Sequence, residues 1–502
     1  MAHVPSPASP GAAIPHPKKP DSAYSSLPFA HWVTPLTNLI SHPVAKKVYH
    51  YTINLPLTLI SMLLKTAAFH IRYRTSATFR QEYEKQVLEE QKRRDEITLA
   101  SPMHDQDKIV FHKAINTTVI NIFREMVQER KASHRNVFVF TPNILASLSM
   151  IYAGAPSKLK AVMEKALHMG KLAGVDWHRH FRAWTTDLKE RLQEKSLLST
   201  TPQFDVGQAI LLREGVSLTE HAQKNLEYYQ PEQRMFKTES EAVTQGNRWV
   251  ETKTEGKIKN LIENLPDFQL FLLMISYAIF KGTLQHPFNK SATSNETFYN
   301  SDGTRVTFQQ MNQGNDQLKR AFDKSMEILE LPFNGNTSLL VVKPALFWKE
   351  PQRSVEDLEQ YMTVENLQTL LENFDERFKP SRGLSVGVPK FELHDKTDLM
   401  QELAHTELAK VVGATEFNGT LVDRSGVTTP QLVTETRFAL NEKGVSIVGA
   451  SYSPSGAQSC DPTFMIRGPF GLVVVDKKTK TILGIGQVIK MEGTPAPEQG
   501  RW

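Results

Sequence analysis

Residues 442–470 read EKGVSIVGASYSPSGAQSCDPTFMIRGPF, and this stretch lies between two segments of strand character. The flanking segments, 432–440 (LVTETRFAL) and 471–477 (GLVVVDK), are rich in β-branched and aliphatic residues. A segment of this length without a helix or strand pattern is uncommon inside a folded domain, and such segments are usually functional or disordered. We therefore expect a long exposed loop near the C-terminus. Its small, polar middle, taken alone, favours an ordinary mobile surface loop.

The rest of the chain changes from helical to β-rich patterns along its length. Apolar residues recur at helical spacing over 115–126 and, after Pro156, over 159–167. Segments of strand character follow at 204–212, 268–280, 326–333, 337–347, 384–393 and 470–489. Because helices come first and strands later, with few strand–helix alternations, the sequence predicts an α+β domain with mostly antiparallel sheets.

Composition and charge restrict the class of protein. The chain has 502 residues, 40% of them hydrophobic, which is enough for one large domain or several smaller ones with real cores. Residues 1–80 hold eight Lys or Arg against one Asp, a net charge of +7, which leaves −2 for the remainder of a chain whose total is +5. A near-neutral body gives no electrostatic reason to expect a nucleic-acid partner. The single cysteine, Cys460, excludes an internal disulfide.

The N-terminal part of the chain differs in character from the body. Nine prolines within 1–43 disfavour helices, so the start of the chain is predicted to be a disordered tail. The apolar stretch 53–64 is too short to cross a bilayer. Two interpretations stay open for 53–74: a helix that packs on the body, or a membrane-surface or export segment with cationic flanks. Opposite charges at helical spacing over 80–97 predict a solvated connecting helix.

A search for catalytic and metal-binding motifs finds none in the required context. His178 and His180 point to different sides of a helix, no third ligand is evident, and both are predicted to be surface histidines. Gly484 and Gly486 lie in a strand pattern without the following helix that a phosphate-binding loop needs. Cys460 lacks the flanking features of a nucleophile. We therefore expect no enzymatic activity, no metal and no cofactor.

Motifs that occur in one order across residues 108–491 resemble those of the serpin family. They are NVFVFTPNILASLSMIYAG (136–154), the Asn-x-Trp-Val and Thr-x-Gly-Lys-Ile patterns (247–250 and 254–258), SYAIFKG (276–282) with Pro287 and Phe288, LELPF (329–333), VPKF (388–391), NEKG (441–444), and Pro469 with Phe470. Each motif alone is weak, but their shared order makes a chance match implausible. The chain is therefore identified as a divergent member of the serpin family with an N-terminal extension.

The resemblance implies a serpin fold: three mostly antiparallel β-sheets, about nine helices and an exposed reactive-centre loop. Inhibitory members are suicide substrates. A protease cleaves the loop and forms an acyl-enzyme, and the cut loop inserts into the central sheet as a strand. Insertion releases strain stored in a metastable fold and distorts the trapped protease. The resemblance thus implies an endopeptidase partner of serine or cysteine type, no catalytic residue in the chain itself, no cofactor and a monomer.

By similarity, counting from both ends of the loop places the bait bond at Gln458-Ser459. The hinge that leads into the loop consists of Glu442, Lys443, Gly444, Val445, Ile447 and Gly449. Inward-facing hinge residues must fit a tight sheet interior, and the family's inhibitors usually have small side chains there. Val445 is apolar, but the larger Ile447 risks overpacking, which costs roughly 1–3 kcal/mol. Slow insertion would make the chain a substrate of the protease instead of an inhibitor.

Positions that control sheet opening in the family differ in this sequence. The family's histidine aligns with Thr434, and the lysine beside it aligns with Glu435. The paired serines at the start of helix B have Thr141 and Asn143 as their nearest equivalents. Asn247 is interpreted as the retained member of this polar cluster. The resemblance therefore implies that the control of sheet opening is either rebuilt or lost.

Two classes of function stay open: a protease inhibitor, and a non-inhibitory serpin-fold binding or interaction protein. A third interpretation adds membrane delivery by the extension. Because no secretory signal peptide is recognisable, the chain is expected in the cytoplasm or exported by a non-classical route, and an extracellular location stays open. The predicted regions are a tail (1–50), a basic helical extension (51–105), the serpin domain (106–493) and a C-terminal tail (494–502).

Overall fold

The computed structural model describes residues 104–192, 204–263, 270–345, 351–398, 402, 420–422, 433–445 and 463–495. The chain divides into two units between Ser101 and Pro102, and every described residue lies in the second unit. The predicted tail and the segment 53–74 therefore lie outside the described residues. The first described helix begins at Asp105, next to the predicted start of the domain.

Nine α-helices lie in the described part of the chain. They are α1 (Asp105–Arg130), α2 (Thr141–Gly154), α3 (Ser157–Ala166), α4 (Val175–Leu192), α5 (Glu220–Leu226), α6 (Glu239–Lys253), α7 (Pro351–Tyr361), α8 (Val364–Glu372) and α9 (Phe374–Arg377). α1 buries the apolar stripe predicted over 115–126, with Ile115, Val119 and Met126 in the core. Pro156 caps the N-terminus of α3, where its missing N–H costs no hydrogen bond.

Nineteen strands alternate with these helices or follow them. They are β1 (Val137–Phe140), β2 (Phe204–Arg213), β3 (Glu232–Phe236), β4 (Leu272–Phe280), β5 (Gly282–Thr283), β6 (Ser294–Tyr299), β7 (Arg305–Gly314), β8 (Lys319–Asp323), β9 (Met326–Pro332), β10 (Thr337–Pro344), β11 (Lys379–Pro380), β12 (Ser385–Pro389), β13 (Phe391–Asp398), β14 (Val433–Asn441), β15 (Gly444–Val445), β16 (Thr463–Met465), β17 (Phe470–Asp476), β18 (Thr481–Val488) and β19 (Thr494–Pro495), all within the described ranges.

Hydrogen-bond ladders join the described strands into four groups. One has seven strands in the order β1-β18-β17-β10-β9-β8-β11, and another has the order β16-β12-β7-β19 with β6 also paired to β7. The other two are half-sheets, β3-β2-β4 and β13-β14-β15-β5, which are connected through the chain where β4 leads into β5. Counted as one sheet, they complete the three sheets that were predicted. Only the β2–β3 and β12–β16 ladders are parallel in the described part, so the α+β prediction of mostly antiparallel sheets is confirmed.

The main hydrophobic core lies against the seven-stranded sheet, with α1 and α2 packed on β18. Every residue of β17 and β18 is buried, because both faces of these strands are covered, and apart from Asp476 and Gln487 their residues are apolar or small. A second, smaller core lies between α6 and the half-sheet β3-β2-β4, where Trp249 packs near Phe236 and Leu273. The half-sheet that contains β4 is therefore covered by α6 on this face.

Two features of the fold correct the sequence predictions. His178 and His180, predicted at the surface, are buried in α4 with exposures of 1% and 5%. His178 Nδ1 is hydrogen-bonded to the Tyr229 hydroxyl, and burial lowers the pKa of His178 to about 3, so its ring is neutral. Strand structure also extends past the predicted domain end at 493, because β19 pairs Thr494 with Thr307 of β7.

Candidate functional site

β14 is the strand that leads into the long loop. It pairs antiparallel with β13, from Val433 opposite Asp398 to Leu440 opposite Phe391. The chain then turns at 442–443, where the sequence predicted the start of the hinge. The upstream end of the loop is thus held in a fixed register against β13.

Gly444 and Val445 form the two-residue strand β15, which lies between β14 and β5. On one side the register places Val445 opposite Leu440, and on the other side it places Val445 opposite Gly282. Both ladders are antiparallel. The first hinge residues after the turn therefore already occupy a strand position in the half-sheet.

The backbone at position 444 requires glycine. Gly444 has a φ of 135°, which residues with a Cβ rarely adopt. A Cβ built there would collide with the carbonyl oxygen of Gly282. The Leu284 backbone N–H also donates to the Lys443 carbonyl at 2.8 Å, which keeps the turn before β15 close to the residue that follows β5. Any larger residue at 444 would separate β15 from β5.

The Glu442 side chain anchors the turn before β15. It is 6% exposed, and its Oε1 accepts hydrogen bonds from Lys390 Nζ and the Thr293 hydroxyl, each at 3.3 Å. Burial alone would raise the pKa of this carboxyl, but hydrogen bonds from its own backbone N–H, Lys390 and Thr293 outweigh burial and hold the pKa below its usual value. The Glu442 carbonyl also accepts from the Phe288 N–H at 2.7 Å. We refer to these contacts as the Glu442 anchor.

A cleft of about 200 Å³ lies between β4 and β14. Among the described strands, no ladder joins these two, and the half-sheets connect only through the chain that runs from β4 into β5. Phe280 and Lys281 line the cleft on one side, Glu435 and Phe438 line it on the other, and Phe138 of β1 also contributes. β15, which pairs with β14 on one side and β5 on the other, belongs to the half-sheet that forms one wall of this cleft.

Glu435 places a buried carboxylate in the wall of this cleft. Its side chain is 1% exposed. His394 Nε2 lies 2.7 Å from Glu435 Oε1, and Arg437 Nε donates to the same oxygen at 3.0 Å. His394 belongs to β13, so this cluster links β13 to β14 beside the cleft. From the sequence, Glu435 was identified as a departure from the family, but its partners were not.

The polar contact between β4 and α2 differs from the predicted one. Ser276 of β4 donates to Asn143 Oδ1 at 2.8 Å and lies 2.5 Å from the Ser147 hydroxyl. Asn247, predicted as the retained member of this cluster, instead lies on α6 and bonds the backbone N–H and carbonyl of Ile262, each at 2.8 Å. The prediction for Asn247 is therefore corrected: Ser276 makes the contact with α2. The motif located Asn247 along the chain but could not locate it in space.

Two further residues of the predicted sheet-opening region lie on α2 and β14. Thr141 is the first residue of α2, and its buried hydroxyl has no hydrogen-bond partner in the described structure. Thr434 lies opposite Thr397 in the β13–β14 ladder. Ser276 could have been identified from the sequence, because it is a polar residue inside the apolar segment 268–280.

Apolar packing holds the downstream end of the loop. β16 runs parallel to β12, with Phe464 opposite Val386. Phe464, Ile466 and Phe470 are each at most 1% exposed. Phe470 begins β17, an interior strand of the seven-stranded sheet. The chain is therefore fixed in the core from β16 onward.

The predicted bait bond and the inner hinge residues lie outside the described residues. They are Gln458, Ser459, Ile447 and Gly449. The structure describes the two elements on either side of them: β15 ends at Val445, and β16 begins at Thr463.

Within the described ranges, no helix combines the length and apolar character that a bilayer span requires. The same ranges contain no group of three or more His, Cys, Asp or Glu side chains positioned to bind a metal ion.

In the described structure, β14 and β15 lie in a half-sheet beside the cleft, and β16, the next described strand, lies in a different sheet. A family model described as Serpin (serine protease inhibitor) matches residues 113–491. The chain therefore belongs to the serpin family, which confirms the resemblance seen in its motifs. A reactive-centre loop and a metastable fold are general properties of this family, whose members are mostly protease inhibitors or non-enzymatic binding proteins.

Individual relatives are distant in sequence but cover most of the domain. Alpha-1-antitrypsin from Meriones unguiculatus is 23% identical over 375 residues, covering 72% of this chain and 86% of that protein. Serine protease inhibitor A6 from Xenopus laevis is 25% identical over 384 residues, covering 74% and 81%. The solved structure of human thyroxine-binding globulin complexed with thyroxine has a TM-score of 0.63 at 20% identity, covering 76% of this chain and 99% of that one. The structural likeness confirms the serpin fold.

Proposed function

We propose that this serpin offers the segment between β15 and β16 as bait to an endopeptidase of serine or cysteine type and inhibits it as a suicide substrate. The observation that carries the proposal is the position of β15 between β14 and β5. Gly444 and Val445 already pair with β14 on one side and with β5 on the other. Insertion of the following residues therefore extends existing ladders and does not require a new strand pairing to begin. Each added pair exchanges backbone–water for backbone–backbone hydrogen bonds.

The cleft between β4 and β14 supports the same proposal. Phe138, Phe280 and Phe438 give it apolar walls, which suit the apolar hinge residues Val445 and Ile447. The proposed hinge comprises Glu442, Lys443, Gly444, Val445, Ile447 and Gly449, and the proposed bait bond is Gln458-Ser459. An inserted strand directs alternate residues to the two faces of the sheet, so a single hinge substitution tests one face at a time.

The first test is the formation of a covalent complex. The full chain, incubated with a panel of serine and cysteine endopeptidases, should give an SDS-stable band with one of them, together with a released fragment that begins at Ser459. Ile447→Arg should abolish the band and leave cleavage intact, since insertion would bury a charge. Ser446→Arg is the matched control: in an inserted strand its side chain would lie on the opposite face from that of Ile447, so the band should remain. Equal effects of the two variants would contradict the insertion mechanism.

The second test is the stability of the cleaved chain. Nicking near Gln458 with a broad-specificity protease should raise the melting temperature by roughly tens of degrees, because the inserted strand adds many hydrogen bonds at about 1 kcal/mol each. If the transition does not shift in the wild type but shifts in Ile447→Ala, the bulk of Ile447 prevents insertion. No shift in either protein would overturn the inhibitory proposal.

Buried Glu435 favours an alternative function, a non-inhibitory binding protein with a static loop. An inserted strand would pack beside this carboxylate, and disruption of its contacts with His394 and Arg437 would leave a buried charge without compensation. Thyroxine-binding globulin, a protein of the same fold, has been solved with thyroxine bound. The absence of both a covalent complex and a thermal shift would assign this chain to the non-inhibitory class.

We further propose that the segment 53–74 brings the chain to an anionic membrane surface. Its apolar stretch ends at Lys65 and is followed by Arg72 and Arg74, so lipid charge and apolar burial would act together. The full chain should sediment with anionic vesicles at low salt and dissociate as salt rises. Replacement of the three cations by Gln should abolish this binding. Binding that ignores both lipid charge and these substitutions would contradict the proposal.

A further inference from the structure

Lys160 and His221 form a side-chain pair outside the hinge and the cleft. Lys160 lies on α3 and His221 on α5, and Lys160 Nζ is 2.7 Å from His221 Nε2. Asn225 Nδ2 donates to the same ring nitrogen at 3.2 Å, and it also donates to the Ala153 carbonyl at the end of α2. The pair therefore lies where α2, α3 and α5 meet.

The contact between two nitrogens restricts their protonation. Nε2 of His221 lies within hydrogen-bond distance of two groups, and the Asn225 amide can only donate to it. Nε2 therefore carries a lone pair and the imidazole is neutral. Burial first, and the nearby charges of Lys160 and Lys224 second, lower the pKa of His221, in agreement with a neutral ring. The ammonium of Lys160 thus faces a base and no carboxylate.

The surroundings of Lys160 favour loss of its proton. No carboxylate among the described residues lies within ion-pair distance of Lys160 Nζ. Glu164 is the acid whose charge acts on Lys160, but its carboxylate accepts a hydrogen bond from the Tyr152 hydroxyl at 2.7 Å. Nζ lies 5.7 Å from the centre of the Tyr152 ring, a cation–π contact that opposes loss of the proton. Burial lowers the pKa of Lys160, and Glu164 only partly opposes this effect. His178 of α4 is neutral and adds no stabilising charge.

We propose that Lys160 is an acylation site, at which its neutral ε-amine attacks an activated acyl donor of the acyl phosphate class and His221 Nε2 accepts the proton released. In this step the bond between Nζ and the acyl carbon forms, and the bond between that carbon and the phosphate oxygen breaks. The phosphate leaves with the electron pair, and no oxidation or reduction occurs. A lysine amine that is partly removed from water and adjacent to a base is the usual form of an activated nitrogen nucleophile.

Site-resolved labelling tests this assignment. The full chain is incubated with a small amount of acetyl phosphate, and acetylation of each lysine is followed over time by mass spectrometry. Lys158 is the internal control, since it lies two residues earlier on the same helix and is exposed. Lys160 should react several-fold faster than Lys158, because a base lies against its amine and part of that amine is removed from water. Equal rates at the two lysines would overturn the proposal.

Two substitutions and one control variant separate activation of Lys160 from simple exposure of its amine. His221→Gln keeps a hydrogen-bond acceptor but cannot take a proton, so labelling of Lys160 should fall to the level of Lys158. His286→Gln, a change at a half-buried histidine far from this pair in sequence, should leave it unchanged. Glu164→Gln removes the negative charge that opposes deprotonation and should accelerate labelling of Lys160. Retained reactivity in His221→Gln, or no acceleration in a folded Glu164→Gln protein, would contradict a role for the base and the local charge.

Discussion

The two ends of the loop are held by different kinds of contact. The upstream end depends on the Glu442 anchor and on the two-residue strand β15, whereas the downstream end depends on Phe464, Ile466 and Phe470 in the core. Buried aromatic and aliphatic side chains resist removal over a large area, but a two-residue ladder and one polar anchor contribute only a few hydrogen bonds. The upstream end is therefore held by fewer and weaker contacts than the downstream end.

The largest effect is expected at the downstream end. Phe470→Ala should lower the free energy of unfolding by about 3–5 kcal/mol, because it leaves a cavity in a fully packed site. Phe470 is 0% exposed and its ring lies 5.6 Å from that of Phe391 and 6.3 Å from that of Phe298. Urea unfolding measures the loss. A loss below 1 kcal/mol would show that the downstream end is not fixed by packing, which would remove the contrast between the two ends.

A smaller effect is expected at Gly444. Gly444→Ala should cost about 1–3 kcal/mol, since the new Cβ meets Gly282 at a positive φ. The strain should detach β15 from β5 and expose the hinge to proteases. Limited proteolysis and urea unfolding check the prediction, and Gly314→Ala, where a Cβ meets no atom within 4 Å, is the matched control. If both variants behave alike, β15 makes no important contact with β5.

The next effect in size is expected at Ser276, whose hydroxyl joins β4 to α2. Ser276→Ala should cost about 1–2 kcal/mol, because the partly buried oxygens of Asn143 and Ser147 lose their partner. The contact holds β4 against α2 on one side of the cleft. Its loss should therefore also increase the rate at which the melting temperature rises after the loop is cleaved. Asn247→Ala should not alter that rate, because Asn247 contacts Ile262 instead. The opposite ranking would restore the role that the sequence motif predicted for Asn247.

The smallest effect is expected at the Glu442 anchor, and it depends on pH. Glu442→Gln should cost about 1 kcal/mol at neutral pH, where the charged hydrogen bonds of the carboxylate are lost. The folded pKa of Glu442 lies below its ordinary value of 4.5, so its contribution is fully present above that value and disappears as the pH falls through the folded pKa.

Unfolding measured from pH 7 downward checks this sign. The wild type and Glu442→Gln should differ by a constant amount above about pH 5 and converge below it. Lys390→Met, which removes one donor to the carboxylate, should show the same convergence with a smaller difference. A difference that grows towards low pH would mean that burial, and not hydrogen bonding, dominates the ionisation of Glu442.

Local pattern explains which parts of the fold were predictable. The periodic apolar residues of α1 and the continuous apolar segments of β9, β10 and β17 were recognised because their burial depends on sequence spacing alone. The position of Gly444 followed from its motif, and its positive φ gives the reason for glycine. In contrast, His178 and His180 were placed at the surface, because their aromatic neighbours belong to distant segments: Tyr228 and Tyr229 for His178, and Phe111 for His180.

By itself, the sequence determined the α+β class, the family, and the strands β14 and β17 that flank the loop, since these depend on local periodicity, backbone constraints and the order of motifs. It did not predict β16, which begins at Thr463 inside the segment 442–470 that was predicted to lack strands. Only the tertiary structure decided the partners of individual polar side chains. Ser276 and Ser147 are 129 residues apart in the chain, and Lys160 and His221 are 61 apart. The same holds for His394 and Glu435 at the cleft, which are 41 apart. Such contacts form because packing brings distant segments together, and no local pattern encodes which polar group will meet which.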